Sequence, residues 1–385
     1  MTLSILKRDT QRRMWGVLTM LLTMILATGL TGCNDNIIYD DQSECYSGVK
    51  VKFIYDYHLE PGANAFPANV DCVTVFVFDT DGNYITHFSE TSAELRSDQY
   101  RMELPLEIGN YELIAYGGVT CEKPTFNFSP GWLAAGQKDG RKHDILVELP
   151  VNGDGVSKNK LHDLEERTGG LFYGTIPLEI TEDDWNVPGN MREVILPMIK
   201  DTNNIRVVLQ QISYPNTLDY NDFDFKIIDD NFILDGTNLP AAATKADTEK
   251  SYEPYAYENV KMGYMEAGAN NGDPAEYDEN REVTVAAAEF STSRLLVQNI
   301  PTARLVVTSK TMHDNDGNDK VLIDLPLIMY LKATRSFGTN WIKDDQEYLD
   351  RRSDWTMFFF LQRNEWVKTK IVVNDWTVRI NDINL

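Results

Sequence analysis

The chain has 385 residues and a formal net charge of −23 at pH 7, from 59 acidic and 36 basic side chains. Nucleic-acid phosphates and anionic lipid headgroups are bound by concentrated lysine and arginine, so this balance excludes a nucleic-acid partner and a protein that lies flat on an anionic membrane. The length suffices for two domains, each with its own core.

The N-terminus has the pattern of a secretory signal peptide. Four basic residues precede an apolar run from Met14 to Leu30, which is shorter than the roughly 20 apolar residues of a membrane-spanning helix. The run ends in a lipobox, in which Leu30, Thr31 and Gly32 precede Cys33. This pattern predicts a signal peptide over residues 1–32 and cleavage between Gly32 and Cys33. The alternative is an ordinary signal peptide with a chance cysteine.

Cys33 is the predicted lipidation site. Its thiol would carry a diacylglycerol through a thioether bond, and cleavage would free its amine for a further acyl chain. Because each buried methylene contributes about 0.8 kcal/mol, several chains together make the anchoring effectively permanent. The mature protein is therefore expected to be held at a bacterial membrane by its N-terminus.

The residues after the lipobox change from a polar segment to strand patterns. Residues 33–48 are acidic and rich in turn formers, which indicates a tether between the lipid and the fold. From Val49 to Tyr55, apolar residues alternate with lysines, as in a half-buried strand. The apolar run Val73–Phe78 predicts a second strand, and Asp79–Asn83 predicts a hairpin turn after it.

A Pro-Gly pair within residues 186–190 is the strongest candidate for a domain boundary. It divides a predicted N-terminal β-sandwich, residues 49–188, from a predicted C-terminal β-sandwich, residues 189–385. Residues 236–282 contain ten acidic residues but only two from the set Val, Ile, Leu and Phe, so we predict a long loop there, either functional or mobile. Short strands with frequent turns predict an all-β fold of two tandem antiparallel β-sandwiches.

The cysteine count is even, but lipidation would make it odd. With Cys33 lipidated, Cys45, Cys72 and Cys121 remain, and three pairings are open. We favour a disulfide between Cys45 and Cys121, because Cys72 begins an apolar strand and can serve as a small buried hydrophobe. The sequence contains no Cys-x-x-Cys motif, so a zinc site is not predicted.

No motif for catalysis is present. The five histidines are not spaced as ligand pairs, and there is no nucleophile elbow, phosphate-binding loop or His-Glu-x-x-His motif. We therefore predict no catalytic residue, no metal site and no cofactor, and we do not expect an enzyme.

Two other patterns have a structural and a functional interpretation. The segments Asp79–Gly82 and Asp314–Asp319 resemble calcium loops, but Leu325 stands where an EF-hand requires glutamate, so hairpin turns are favoured. Four tryptophans could line a glycan platform, although at strand positions such residues more often belong to the core. They are Trp341, Trp355, Trp366 and Trp376.

Several short segments resemble one family of surface proteins. The first is the lipobox with Tyr39–Cys45, followed by Val51–Tyr57, Ala65-Phe66 and Val75–Asp79 with Asp81-Gly82. Later segments are Leu104-Pro105, Gly109–Tyr111, Ala115–Gly118, Leu171–Gly174, Ser293–Leu295, Tyr348–Asp350 and Asn374–Trp376. Together they resemble the minor-fimbrium anchoring subunits of Bacteroidales, the FimB/Mfa2 family, over nearly the whole mature chain. Asp375 stands where the family pattern has glycine, which alters a turn.

The resemblance implies two transthyretin-like β-sandwiches on a lipoprotein of the outer membrane. Such a protein would attach the base of a fimbrial shaft to the cell and help to limit shaft length. Its partners would be the shaft subunit and accessory fimbrial subunits, bound by strand addition at an open sheet edge or through Ile371–Leu385. The alternative is a surface lipoprotein that binds glycans or host ligands through residues 236–282 and exposed tryptophans.

Overall fold

The computed structural model describes most of the chain after residue 47. The described residues are 48–56, 64–128, 132, 139–163, 169–185, 191–212, 216–241, 249–265, 277–336, 341–363, 365–373 and 376–380. The fold is all-β, as predicted, because β-strands arranged in five sheets supply most of its regular structure.

The strands of the first 211 residues are as follows: β1 (Val49–Ile54), β2 (Val73–Asp79), β3 (Tyr84–Glu90), β4 (Met102–Leu104), β5 (Gly109–Gly117), β6 (Asn127–Phe128), β7 (Leu146–Glu148), β8 (Val156–Ser157), β9 (Phe172–Ile180), β10 (Arg192–Pro197), β11 (Ile199–Lys200) and β12 (Thr202–Gln211). The remaining strands are β13 (Phe223–Ile228), β14 (Ile233–Asp235), β15 (Ser251–Tyr252), β16 (Ala256–Met265), β17 (Tyr277–Ser293), β18 (Arg304–His313), β19 (Asp319–Pro326), β20 (Asp354–Gln362), β21 (Glu365–Val373) and β22 (Trp376–Ile380).

The helices of the described residues are short. The α-helices are α1 (Phe66–Asn69), α2 (Glu182–Trp185), α3 (Leu327–Lys332) and α4 (Asp345–Asp350). The 3₁₀ turns are Ala93–Arg96, Lys142–Asp144, Tyr220–Asp222, Val297–Asn299 and Ala333–Ser336. Helix α4 begins after Asp344, whose Oδ1 accepts a hydrogen bond of 2.8 Å from the backbone N–H of Glu347, as an N-cap residue does.

Two sheets form the N-terminal half, in the orders β10–β1–β4 and β11–β9–β5–β2–β3. Strand β1 alternates as the sequence predicts, with three apolar side chains directed to the core and Lys50 and Lys52 on the other face. The core between the two sheets includes Val49, Val51 and Phe53 of β1 and Val73, Val75 and Val77 of β2. Burial of these side chains stabilises the pair of sheets by roughly 25 cal/mol per Å².

Strand β2 is apolar on both faces because both faces are covered. Phe76 and Phe78 lie on the face opposite the valines and belong to a second cluster that also contains Trp132 and Val147. The rings of Phe76 and Trp132 are 6.4 Å apart, in an edge-to-face arrangement. Continuous burial explains why this run does not alternate, whereas β1 does.

The C-terminal half consists of a six-stranded sheet, β16–β17–β12–β20–β21–β22, and a five-stranded sheet, β19–β18–β13–β15–β8. Strands β12 and β20 are parallel neighbours at the centre of the larger sheet. The core between these sheets includes Ile205, Val207, Leu209, Phe223, Phe225, Ile227, Met357 and Phe359. Phe358 and Phe360 lie on the opposite face of the larger sheet, in a separate apolar cluster with Val208 and Val285.

The chain does not pass from the N-terminal to the C-terminal sheets at residue 188, where we predict the domain boundary. Strand β10 pairs with β1 and β11 pairs with β9, so residues up to Lys200 belong to the N-terminal sheets. Thr202 begins β12 of the C-terminal sheet. Strands β7 and β8 also pair with β14 and β15 of the other half. The predicted linker, residues 186–190, lies outside the described residues.

The prediction of a long loop over residues 236–282 is wrong for the described part of that stretch. Strands β15 and β16 lie within it, and β17 begins at Tyr277. Strands β16 and β17 form an antiparallel pair from Ala256↔Glu289 to Met265↔Tyr277. The pattern was missed because β16 is an edge strand, whose partial burial is served by tyrosine and methionine rather than by Val, Ile, Leu or Phe.

Candidate functional site

Gly48 is the last residue of the predicted tether and the first described residue. Gly48 has a φ of +128°, and an added Cβ would lie 2.0 Å from the carbonyl oxygen of Leu104, so only glycine fits at this entry to β1. The predicted site residues Gly32, Cys33 and Cys45 lie outside the described residues. Within the described parts of the chain, no helix has the length and apolar character needed to cross a membrane.

The predicted disulfide between Cys45 and Cys121 is wrong. Cys121 is bonded to Cys72, and their Cα atoms are 5.2 Å apart. Cys72 precedes β2 and Cys121 follows β5, and the pairing of these strands brings the two ends together, with the N–H of Gly118 donating to the carbonyl of Cys72. Sequence spacing could not reveal this proximity, because it depends on which strands are neighbours.

Removal of the disulfide is expected to lower the free energy of unfolding. The bond closes a loop with a sequence separation of 49, and cross-links of this length contribute about 2–4 kcal/mol, largely by restricting the unfolded chain. Urea unfolding of a Cys72→Ala/Cys121→Ala variant measures the loss. Cys45→Ala is the matched control and should unfold as the parent does. Equal unfolding midpoints for all three proteins would contradict the assignment.

The two acidic turns are hairpin turns, as the sequence favours. Asp79 Oδ1 accepts hydrogen bonds from the N–H groups of Asp81 and Asn83, at 2.9 and 2.8 Å. Asp314 makes the same two contacts with Asp316 and Asn318. A hydrogen bond from the Asn83 side chain, with that from the Asn83 N–H, lowers the pKa of Asp79, and the N–H of Asn318 is the main cause of the lowered pKa of Asp314. The ionised carboxylates are thereby stabilised within the turns.

The four tryptophans of the proposed platform are in different environments. Trp355 is 2% exposed and belongs to the C-terminal core, as predicted. Trp341 is 58% exposed, and the guanidinium of Arg351 lies over its ring at 4.8 Å from the centroid. The side chains of Trp366 and Trp376 lie outside the described part of the structure. A shared aromatic platform is therefore not formed by Trp341 and Trp355.

A buried ion-pair network lies where the two halves meet. Arg294, 9% exposed, forms a bidentate pair with Asp350 of α4, at 2.9 and 2.7 Å. Its Nε is also 3.6 Å from Oδ1 of Asp201, between β11 and β12, and its Nη1 donates to the carbonyl of Asn238. The network therefore connects α4, the end of β17 and the passage from the N-terminal to the C-terminal sheets. Its role was not predicted, although Arg294 and Asp350 lie in segments that carry the family resemblance.

Two buried carboxyls have strongly shifted pKa values. Burial raises the pKa of Asp201 to about 7, although Arg294 opposes the shift. Burial likewise raises the pKa of Asp229 to about 7, against a hydrogen bond from the Asn299 side chain. In both residues Oδ2 is buried and has no hydrogen-bond partner among the residues that the structure describes. Both carboxyls lie in the interior of the fold.

The six-stranded sheet has two edges, β16 and β22. Strand β22 and the last residues of β21 are the described part of the predicted contact segment Ile371–Leu385; residues 381–385 lie outside the described residues. Strand β16, which falls in the stretch we predicted as a loop, has ten residues and pairs on one side with β17. Each edge presents backbone groups on which another strand could be added.

The described residues thus form an all-β protein whose largest sheet presents open edges. The sequence model of the Fimbrillin-A associated anchor proteins Mfa1 and Mfa2 matches residues 42–382. The protein is thus a fimbria-associated component. The chain belongs to the family of Fimbrillin-A associated anchor proteins, and the resemblance noted in its sequence is confirmed.

Solved structures agree with this assignment. A Bacteroides thetaiotaomicron protein provisionally assigned as an adhesin is 37% identical over 87% of this chain and 98% of its own, with a TM-score of 0.66. A second protein of that organism, provisionally assigned to the polysaccharide-binding proteins, is 29% identical over 88% of this chain and 100% of its own, with a TM-score of 0.64.

The fimbrial anchor protein Mfa2 from Porphyromonas gingivalis is 17% identical over 86% of this chain and 99% of its own, with a TM-score of 0.55, which shows a shared fold. No curated protein sequence matches the chain.

Proposed function

We propose that the mature protein begins at Cys33, is held in the outer membrane by lipid on that residue, and attaches the base of a fimbrial shaft whose length it helps to limit. The observation that carries the proposal is the lipobox directly before a chain of the anchor family. A lipid supplies permanent attachment, and a folded subunit supplies the specific contact with the filament.

The direction of the chain supports this arrangement. The tether enters at the start of β1, beside Leu104. The chain passes to the C-terminal sheets from the other end of β1, where the N–H of Met198 donates to the carbonyl of Ile54. Because a six-residue strand is roughly 17 Å long, the entry of the chain at Gly48 and its passage to the C-terminal half lie at opposite ends of β1, about that far apart. The shaft contact is therefore proposed for the C-terminal half, at an edge of the six-stranded sheet or in the segment Ile371–Leu385.

Substitution Cys33→Ala tests the anchoring directly. Without a thiol no diacylglycerol can be attached, so the protein should leave the membrane fraction, and filaments should be found in the medium or grow abnormally long. Fractionation of the cells and electron microscopy of cells and medium measure both effects. Substitution Cys45→Ala, in the same predicted tether, is the control and should leave filaments on the cells. Filaments of normal length that remain attached to Cys33→Ala cells would overturn the proposal.

Glycan binding is the second candidate function, and two observations favour it. Trp341 is exposed and its ring stacks against Arg351, and an exposed aromatic ring can stack on a sugar ring. A relative of 29% identity is also provisionally assigned to the polysaccharide-binding proteins. Retention of the protein on polysaccharide columns, and its loss with Trp341→Ala, would support this function over anchoring alone.

A further inference from the structure

We infer that β16 is the edge at which this protein accepts an extended strand of another fimbrial subunit. The inference rests on the proposed function and assigns its contact surface. Strand addition requires a continuous row of free backbone N–H and C=O groups, no proline on the open side, and an edge free of bulges and opposing charge. The edges of the five sheets differ in these respects.

The groove between β9 and β10 is closed to strand addition by two prolines. The N–H of Asp201 donates to the carbonyl of Leu171, so alternate residues of β9, counted from Leu171, direct their backbone groups to the open side. Pro177 is one of them and has no N–H to donate. On β10, Met198 bonds to β1, so the adjacent Pro197 faces outward. Each edge therefore lacks a donor that an added strand would need.

Arg192 obstructs the same groove. It begins β10, and its guanidinium donates to the carbonyl of Glu179 on β9 and forms an ion pair of 2.8 Å with Asp184. The outward carbonyl of Glu179 is thus already satisfied by a side chain of the facing strand. Combined with the prolines, this contact marks the groove as a protected edge rather than an acceptor.

Four other edges are short, interrupted or partly occupied. Strands β4 and β8 have three and two residues. Strand β19 carries charged residues, and its pairing with β18 shifts register twice. The N–H of Tyr84, at the start of β3, already donates to the carbonyl of Gly140, so only the remainder of that strand is open. Long edges with these interruptions resist added strands.

Strand β16 has a regular open row. Thr284 on β17 exchanges backbone hydrogen bonds with Asn216 and Leu218 on the side away from β16. Its partner Lys261 therefore directs its own N–H and C=O away from β17. Tyr257 and Asn259, at alternate positions of the same strand, do so as well. Among the described residues, none forms a backbone hydrogen bond with these three outward positions. The row lacks proline, and the register shift lies beyond it, at Gly263/Tyr264.

The side chains of β16 define the strand that fits beside it. Val260 and Met262 are partly buried against the apolar cluster that contains Val285 and Phe360. On the other face, Tyr257 is 41% exposed and stacks on Tyr220, with ring centroids 5.6 Å apart. An added strand with apolar side chains at alternate positions would extend the cluster next to Val260 and Met262. The partner is therefore an alternating apolar and polar segment, in an extended conformation, of a fimbrial subunit.

Hydrogen exchange tests the inference without any substitution. The probe is fimbriae sheared from cells that express this chain, mixed with the soluble protein. The outward amides of Tyr257, Asn259 and Lys261 should exchange rapidly in the free protein and at least ten-fold more slowly in the complex, because strand addition gives them acceptors. Protection confined to β22, to β3 or to the β9–β10 groove would overturn the assignment of β16.

Substitution Lys261→Pro provides the second test. It removes an N–H that faces away from β17, so the β16–β17 pairing is kept while the added strand loses a donor. Lys261→Ala is the matched control, because it keeps the N–H and removes only an ion pair with Glu282 whose side chains are 72% and 68% exposed. Capture of fimbriae should fall at least ten-fold for Lys261→Pro and be retained by Lys261→Ala.

Equal capture by the two Lys261 variants would overturn the inference. His87 is at an outward position of β3. If His87→Pro reduces the capture of fimbriae and Lys261→Pro does not, the contact site lies at β3. Hydrogen exchange decides the matter if Lys261→Pro does not fold. Binding of fimbriae without protection of β16 rejects the inference and leaves the proposed function standing. Failure of the parent protein to bind fimbriae at all rejects both.

Discussion

Replacing Arg294 by methionine is expected to lower the free energy of unfolding by about 3–5 kcal/mol. The change leaves the carboxylate of Asp350 without its bidentate partner and removes the cation nearest to the fully buried Asp201. A buried charge that has lost its partner is costly, because neither water nor another group replaces the lost contact. Asp350 would keep a hydrogen bond of 2.9 Å from Gln346, which compensates only in part.

Urea unfolding of the mature protein at pH 7 measures this effect. Arg206→Met is the matched control, because Arg206 also contacts two carboxylates, Glu258 and Glu289, but its side chain is 36% exposed. Exposed pairs of this kind contribute about 0–1 kcal/mol, so the control should change little. A loss for Arg294→Met no larger than that of Arg206→Met would show that the network does not stabilise the fold.

Substitution Asp229→Asn is expected to stabilise the protein at pH 8 and to leave its stability near pH 4 almost unchanged. Burial raises the pKa of Asp229 to about 7, so the folded protein binds a proton that the unfolded chain releases near pH 4. The stability contributed by this proton is fully present below pH 4 and is lost as the pH rises to about 7. A shift of this size corresponds to an upper bound of about 4 kcal/mol.

Asparagine at position 229 can keep the hydrogen bonds that Asp229 accepts. Its carbonyl oxygen can accept the hydrogen bonds that Asp229 Oδ1 receives from the Asn299 side chain and, at 2.7 Å, from the N–H of Asp230. It carries no charge, so the cost of an ionised group in the core disappears above pH 7. Thermal unfolding at pH 4.5, 6 and 8 gives the comparison. Asp324→Asn is the control, because Asp324 is exposed and paired with Arg304. It should not reduce the dependence of the melting temperature on pH.

An Asp229→Asn protein whose melting temperature is equal to or below that of the parent at pH 8 would contradict this account. Asp201 has a raised pKa as well, so in both proteins it contributes a loss of stability as the pH rises. The comparison therefore depends on the difference between the two pH profiles. Parallel profiles would show that Asp229 is not the group that titrates.

The features that sequence alone supplied are those that depend on neighbours along the chain. The alternation at Val49–Tyr55 predicted β1, and the apolar run before Asp79 predicted β2 with its hairpin turn. The turn at Asp314 was also predicted, because an aspartate that accepts hydrogen bonds from the next few N–H groups makes a local structure. Short motifs spread over the chain identified the family, which the match over residues 42–382 confirms.

The wrong predictions concern contacts between distant residues. Cys121 bonds to Cys72 rather than to Cys45, because strands β2 and β5 are neighbours. Strand β16 was missed because an edge strand is paired and packed on one side only, which leaves a weak apolar pattern. Sheet membership extends past the predicted boundary at residue 188 because β10 completes the sheet that contains β1.

By itself, the sequence determined the lipobox pattern, the all-β class, the local turns and the family, since each of these is set by residue types at fixed, short spacing. Only the tertiary structure decided the disulfide partner, the burial of Arg294 between Asp350 and Asp201, and the difference between protected and open edges. Strand pairing joins residues far apart in the chain, and the side chains at each position are compatible with several partners. The register and order of the strands therefore follow from the packing of the whole core.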